Sequence, residues 1–454
     1  VKRFKRGVAL QGGIVITASM RAKRLVTTIA IVGAGALALS ACSSGGTTAA
    51  AGGPGSATFS YLSQDTNTTI SSILTTLSTS ECSAANKAAP YSFETTPGAA
   101  MDQKLQLLAG QDALPSAFMA PGTPALVQQF IKGGQLQELG ATLKTAGLDG
   151  DILPAARSTL QALYSTDGLY ALPTEFNIEG IWYNKKLFAD NNITVPATWD
   201  ELLSATETLK SAGVIPISAD GKDGWNVSRY IGDYIFRDLG PDALQKVADG
   251  TAKLTDPEYV KAADAVAALG KSGAFGDSVG SIDYDNSLNQ FLSGKAAMLY
   301  MGSWALANFN DPKQNTIGVD NVGFMPFPAV AGGKGSIDQI PSNVGVPLTF
   351  ATKGFGTNIE AWLNCIAPNY GNQVLKDKGV ISGFKTTETP ADLPALTKGV
   401  QDTIANSPSS VLWFEALFSA KGTSVAQTNA AQLATGGMSG ADYMKIVQAA
   451  NETK

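Results

Sequence analysis

TWDELLSATETLKSAGVIPIS, residues 198–218, carries the pattern on which the fold reading rests. Thr198 and Glu201 stand three apart, the spacing of a capping box. The threonine oxygen accepts the N–H of the third helical residue, and the glutamate reaches back to the cap. Leu202, Leu203 and Leu209 then mark one buried helical face, and Gly213 ends the helix. Ile215-Pro216-Ile217-Ser218 starts a strand directly afterwards. A helix that hands over to a strand in this way is the unit of an α/β fold with a mainly parallel sheet.

The same alternation extends on both sides. Ala57 to Leu62 alternates and predicts a first strand, with a helical stretch over Ile70 to Leu77. Tyr91-Ser92-Phe93-Glu94 predicts a second strand, and Met101 to Leu108 an amphipathic helix stopped at Gly110. Downstream, Gly180 to Asn184 is strand-like. A helix ends over Gln290–Ser293 at Gly294, and Ala296 to Met301 predicts a strand running into Gly302-Ser303-Trp304. No internal repeat is visible.

Composition narrows the chemistry. The chain has 454 residues, enough for two or three domains, and is 44% hydrophobic and 16% charged, which fits a globular body. Its net charge is −5, and no Lys/Arg-rich run follows residue 24, so no nucleic-acid partner is expected. There is no histidine, which excludes Ser–His–Asp and Cys–His catalysis and HExxH zinc sites. Cys42, Cys82 and Cys365 are too far apart to form a CxxC motif. No cofactor and no metal are expected.

Met20-Arg21-Ala22-Lys23-Arg24 is a basic n-region, and Leu25 to Leu39 is an apolar run too short to span a bilayer comfortably. It ends in Leu39-Ser40-Ala41-Cys42, which resembles a bacterial lipobox. Residues 1–42 are therefore expected to be a signal peptide with its true start at Met20 and lipidation at Cys42. An ordinary signal peptide, or a short membrane helix with a chance cysteine, is the alternative. Residues 43–56 are Gly, Ser, Thr, Ala and one Pro and predict a flexible tether. Gly33-Ala34-Gly35-Ala36-Leu37-Ala38 matches a dinucleotide fingerprint, but no acidic residue follows at the required distance. Gly270-Lys271-Ser272 ends like a P-loop, yet Ala265 replaces its first glycine.

Four further stretches, read in order, resemble a known family. They are Asp167 to Pro173 leading through Asn177 to Lys185, then Pro196 to Leu202, then Phe291 to Met298 running to Trp304, and Met438-Ser439-Gly440-Ala441 before a last helix. Together they resemble extracellular solute-binding protein family 1, the maltose-binding-protein-like receptors of ABC sugar importers. The chain departs from that pattern at Pro115-Ser116-Ala117 and around Cys82. The resemblance implies a two-lobed, type II periplasmic-binding-protein fold with hinge-connected α/β lobes. It implies three crossings between lobes, near Glu175 to Asn177, near Ser342 to Gly345, and between about Pro390 and Ala405. The N-terminal lobe would comprise 57–176 plus about 344–395, and the C-terminal lobe 177–343 plus about 396–454.

The resemblance also implies a non-enzymatic binder that holds a di- or oligosaccharide in the interlobe cleft and delivers it to membrane permease subunits. It would act as a monomer, lipid-anchored to the outer face of the bacterial cytoplasmic membrane. Sugars need flat aromatic faces and planar polar side chains. Trp304, Trp225 and Trp413 are the expected stacking platforms, with core burial as the alternative for Trp304 and Trp413. Trp182 and Trp199 are expected to be packing residues. Asp65, Asn177, Asn343 and Glu415 are the expected polar contacts, with a helix cap as the alternative for Asp65. Ala120 and Pro121 predict an apolar wall. Cys82 and Cys365 both fall in the implied first lobe, either as a disulfide or as buried thiols. Three rival readings stand beside this one: a glycosidase using a carboxylate pair such as Glu175 with Asp283, a binder of a phosphorylated polyol, polyamine or iron complex, and a purely structural surface protein.

Overall fold

A computed structural model describes residues 53–65, 67–407 and 409–452. The expected signal segment, Cys42 and most of the tether lie outside the described residues.

Eleven strands among the described residues form two sheets. In chain order they are β1 (Phe59–Gln64), β2 (Tyr91–Thr96), β3 (Ala117–Met119), β4 (Ala171–Leu172), β5 (Asn177–Asn184), β6 (Ile215–Ser218), β7 (Ala296–Gly302), β8 (Val322–Met325), β9 (Ile340–Asn343), β10 (Leu348–Phe350) and β11 (Ser410–Val411). The first sheet has the order β2-β1-β3-β10-β4, and the second β11-β9-β5-β7-β6 with β8 against β5. The chain passes between sheets over 173–176, then 344–347, and returns to the second sheet at Ser410 after the helix Ala395–Asn406.

The expectation of mainly parallel sheets is corrected. β1 pairs in parallel with β2 and β3, and β6 with β7. However, β10 is antiparallel to both of its neighbours, and β5 to β7, β8 and β9. β5 and β10 follow the first two passages and run against their neighbours, whereas β11, which follows the third, pairs in parallel with β9.

Local signals hold where they were read. Thr198 Oγ1 accepts from Glu201 N, and Glu201 Oε2 accepts from Thr198 N, so the capping box opens the helix Trp199–Ser211. The helix Met101–Gly110 runs through the predicted stop glycine before it ends. The tether reading ends too late. Ser56 N donates to Gly354 O and Thr357 N to Gly53 O, which fixes residues 53–56 on the turn after β10.

Two hydrophobic clusters form the core, the first running from the first sheet onto one set of second-sheet residues such as Trp182 and Met301, the second holding others such as Ile181 and Tyr300. Phe59 stacks on Trp362 at 4.6 Å in the first, and the Trp362 indole N–H donates to Ala89 O at 2.8 Å. In the second, Trp199 stacks on Phe327 at 5.6 Å and meets Tyr234 edge-on. Trp182 is fully buried, so both tryptophans assigned to packing are core residues. A disulfide joins Cys82 to Cys365 and ties the start of the helix Ser83–Ala88 to the helix Thr357–Lys378.

Candidate ligand-binding cleft

β5 is both a crossing strand and a central strand of the second sheet. Alternate residues of a strand share a face, so Asn177 and Glu179 lie on the same side. Asn343 stands opposite Asn177 in register on β9. The Asn177 amide donates to Asn343 Oδ1 at 3.2 Å, and the Asn343 amide donates to Glu179 Oε1 at 3.1 Å. Ser303 Oγ donates to Asn177 Oδ1 at 3.2 Å, just before Trp304. These side chains form one continuous polar line.

A second element brings aromatic surface to that line. β6 gives way to a polar loop that ends at Gly224, whose φ of +79° opens the helix Trp225–Leu239. A Cβ there would also overlap the backbone carbonyl of Gln427, so only glycine fits. Trp225 begins the helix, and Arg229 follows four residues later on the same face. The guanidinium lies 5.5 Å from the Trp225 ring centre and 5.9 Å from that of Trp413. Trp304 lies 5.7 Å from Trp225, and Tyr284 lies 6.4 Å from it.

Arg229 is held by two carboxylates. Its Nε donates to Glu179 Oε2 at 2.8 Å, and its Nη1 donates to Glu415 Oε2. Ser228 Oγ donates to the other Glu415 oxygen. Burial raises the Glu415 carboxyl above its ordinary range, opposed by Arg229. Burial pulls Arg229 down, but Glu179 and Glu415 outweigh that and hold the guanidinium charged.

Two cavities flank this arrangement. One of about 470 Å³ is bounded by Gln64, the Ala120–Pro124 turn, Tyr164, Gly345–Pro347, Trp413 and Glu415. This is within the range of small-molecule sites. Ala120 and Pro121 supply its apolar wall, as predicted. A second, of about 250 Å³, is lined by Asn177, Ser303, Trp304, Asn310, Val380 and Thr397 among others. Both draw residues from segments attached to either sheet.

The structure thus gathers Asn177, Asn343, Trp225, Trp304, Trp413 and Glu415. Trp304 is 36% exposed, whereas Trp225 and Trp413 are half-buried. The expectation for Glu415 needs correction. It is 3% exposed, and both carboxylate oxygens are engaged by Arg229 and Ser228, so it braces the site and offers no free oxygen. Asp65 lines neither cavity but is exposed at the end of β1, directly after Gln64, which lines the larger one. It is not the helix cap either, because Asn67 Oδ1 accepts from Ile70 N. Of the carboxylates named for the glycosidase reading, Asp283 caps the helix Tyr284–Leu292, and Glu175 sits in the first crossing with its carboxyl raised by burial. Sequence reasoning missed Glu179, Ser228, Arg229, Ser303 and Tyr284. Two spacings could have found the central pair: Glu179 two after Asn177 on a strand, and Arg229 four after Trp225 on a helix.

Residues 91–354, more than half of the chain, match the family of bacterial extracellular solute-binding proteins. The chain belongs to that family. An ABC transporter extracellular-binding protein of Pyrococcus horikoshii is 28% identical over 223 residues, 48% of this chain and 50% of that protein. The multiple sugar-binding protein of Streptococcus mutans is 27% identical over 177 residues, 37% of this chain and 40% of that protein. The chain therefore spans about half the length of the curated relatives it matches. A solved chitin oligosaccharide binding protein aligns over 87% of this chain and 100% of its own, with TM-score 0.67 and 26% identity. The two sheets and their crossings are the two-lobed solute-binding fold.

Proposed function

We propose that the chain is the capture component of an ABC importer and holds a di- or oligosaccharide between its lobes. The observation that carries this reading is Trp304, an indole 36% exposed at a strand end, beside Trp225 and a polar line of amides. Indole faces receive the C–H-rich side of a sugar ring, and amides bond its hydroxyl rim. The relatives named for sugars and chitin oligosaccharides support the same class. Arg229 lies against Trp225 and Trp413 and is already paired with Glu179 and Glu415, so this guanidinium is not free to take a phosphate.

In this reading the lobes divide as expected from sequence, with 57–176 plus about 344–395 facing 177–343 plus about 396–454. Closure about the hinge expels water and presents the closed form to the permease subunits. Ligand leaves unchanged, so no catalytic residue is assigned. Export, lipidation at Cys42 and a short tether keep the monomer at the outer membrane face.

The test is a thermal-shift panel of mono-, di- and oligosaccharides with sn-glycerol 3-phosphate and a polyamine as alternative arms, followed by calorimetry on the best ligand. Ligand that binds only the folded chain raises the melting temperature by mass action. A shift with a di- or oligosaccharide, and recovery of the intact sugar, is the expected result. A shift with the phosphate or amine alone, or turnover of the sugar, overturns the reading.

A further inference from the structure

Arg229 is 8% exposed, while the outer faces of Trp225 and Trp413 remain half open. It lines neither cavity, yet it touches both indoles and two carboxylates from different segments. Glu179 comes from β5, the first crossing strand. Glu415 comes from the stretch after β11, which also carries Trp413. Each carboxylate has its second oxygen engaged, by Asn343 in one case and Ser228 in the other. The plane of the guanidinium is therefore fixed by groups on four segments, including β9, the second crossing strand.

We propose that Arg229 is a positioning residue: it holds Trp225 and Trp413 at a set spacing and couples both to the crossing strands through Glu179 and Asn343. This rests on the reading that the indoles form a sugar-binding surface. An indole that turned away would lose its cation, so the platforms stay preorganised, and less entropy is lost on binding. Glu179, Arg229, Glu415 and both indoles belong to the same lobe in this reading, so the platform moves as one body when the hinge bends and meets the ligand in a fixed geometry. Lysine cannot replace this role, because a single ammonium cannot fork to two carboxylates and face two rings together.

The test uses the full chain and two variants. R229K keeps the charge without the fork. R229M/E179Q/E415Q removes all three charges, which avoids leaving buried carboxylates unpaired. Three properties are measured: the circular dichroism spectrum, acrylamide quenching of tryptophan emission without ligand, and the affinity for the best sugar of the panel. Native dichroism, stronger quenching than wild type in both variants, and affinity at least about tenfold weaker are expected. Quenching like wild type with affinity within about twofold overturns the proposal. Loss of native dichroism in both variants also overturns it, since the role would then be structural. If wild type binds no sugar, the carbohydrate reading fails on its own, and the ligand-free quenching still decides the role of Arg229.

Discussion

Replacing Trp304 by alanine probes the site most directly. The indole is 36% exposed, so roughly a third of its surface remains for a ligand to cover. An aromatic side chain buries about 200 Å², which leaves about 70 Å² available. At about 25 cal/mol per Å², covering it contributes about 1.8 kcal/mol, or about twentyfold in Kd. The fold should lose little, because Trp304 sits at the surface, with its ring over Gly302 and 5.7 Å from Trp225. Calorimetry on Trp304→Ala with the best wild-type sugar, at fixed ionic strength, should show that loss. A melting scan of the ligand-free protein should shift by only a few degrees. Wild-type Kd in a variant with an intact melting transition would show that the ligand lies elsewhere, and the stacking argument would fall.

Other outcomes follow from neighbouring features. A methyl at Gly302 would overlap the six-membered ring of Trp304, so Gly302→Ala should displace the platform and weaken sugar binding severalfold, read by the same titration. Reduction of the Cys82–Cys365 bond, or Cys82→Ser with Cys365→Ser, should cost about 2–5 kcal/mol in urea unfolding. No change in the denaturation midpoint on reduction would mean that the bridge contributes nothing. Burial pushes Asp220 up to about 8, while the unfolded carboxyl titrates near 4. The folded chain therefore keeps the proton over that window, and stability declines as pH rises from about 4 to about 8. Asp220→Asn should flatten this decline in urea midpoints measured across the window; an equally steep decline in the variant would remove Asp220 as its source.

The chain's local punctuation was readable because it depends on neighbours in sequence. The Thr198–Glu201 box, the stop at Gly213 and the strand runs beside it are of this kind. Strand direction was not readable at β5 and β10. A period of two is the same whichever way a strand runs. Trp304 and Trp413 could be placed through the family resemblance, and Trp225 through its place after a polar loop at a strand end, but their brace could not. Glu179 and Glu415 are 236 residues apart in number and meet only through Arg229. Glu415 was therefore read as a ligand contact from its position beside Trp413, when a partner on a distant helix engages it. The end of the tether was misplaced for a similar reason. Gly53 to Ser56 look featureless until Gly354 and Thr357 supply partners for their backbone.

The pairing of β5 with β9 has a mechanical corollary. Asn177 faces Asn343, and Ile178 faces Ser342, at the point where both strands leave for the other lobe. Two plies stitched together in this way resist sliding past each other, because slippage by one residue would break the stitches and turn every side chain over. Such a band tolerates flexing across its width far better than twisting along its length. The halves should therefore swing like a book on its spine, and whatever sits between the covers meets the same two pages at every turn.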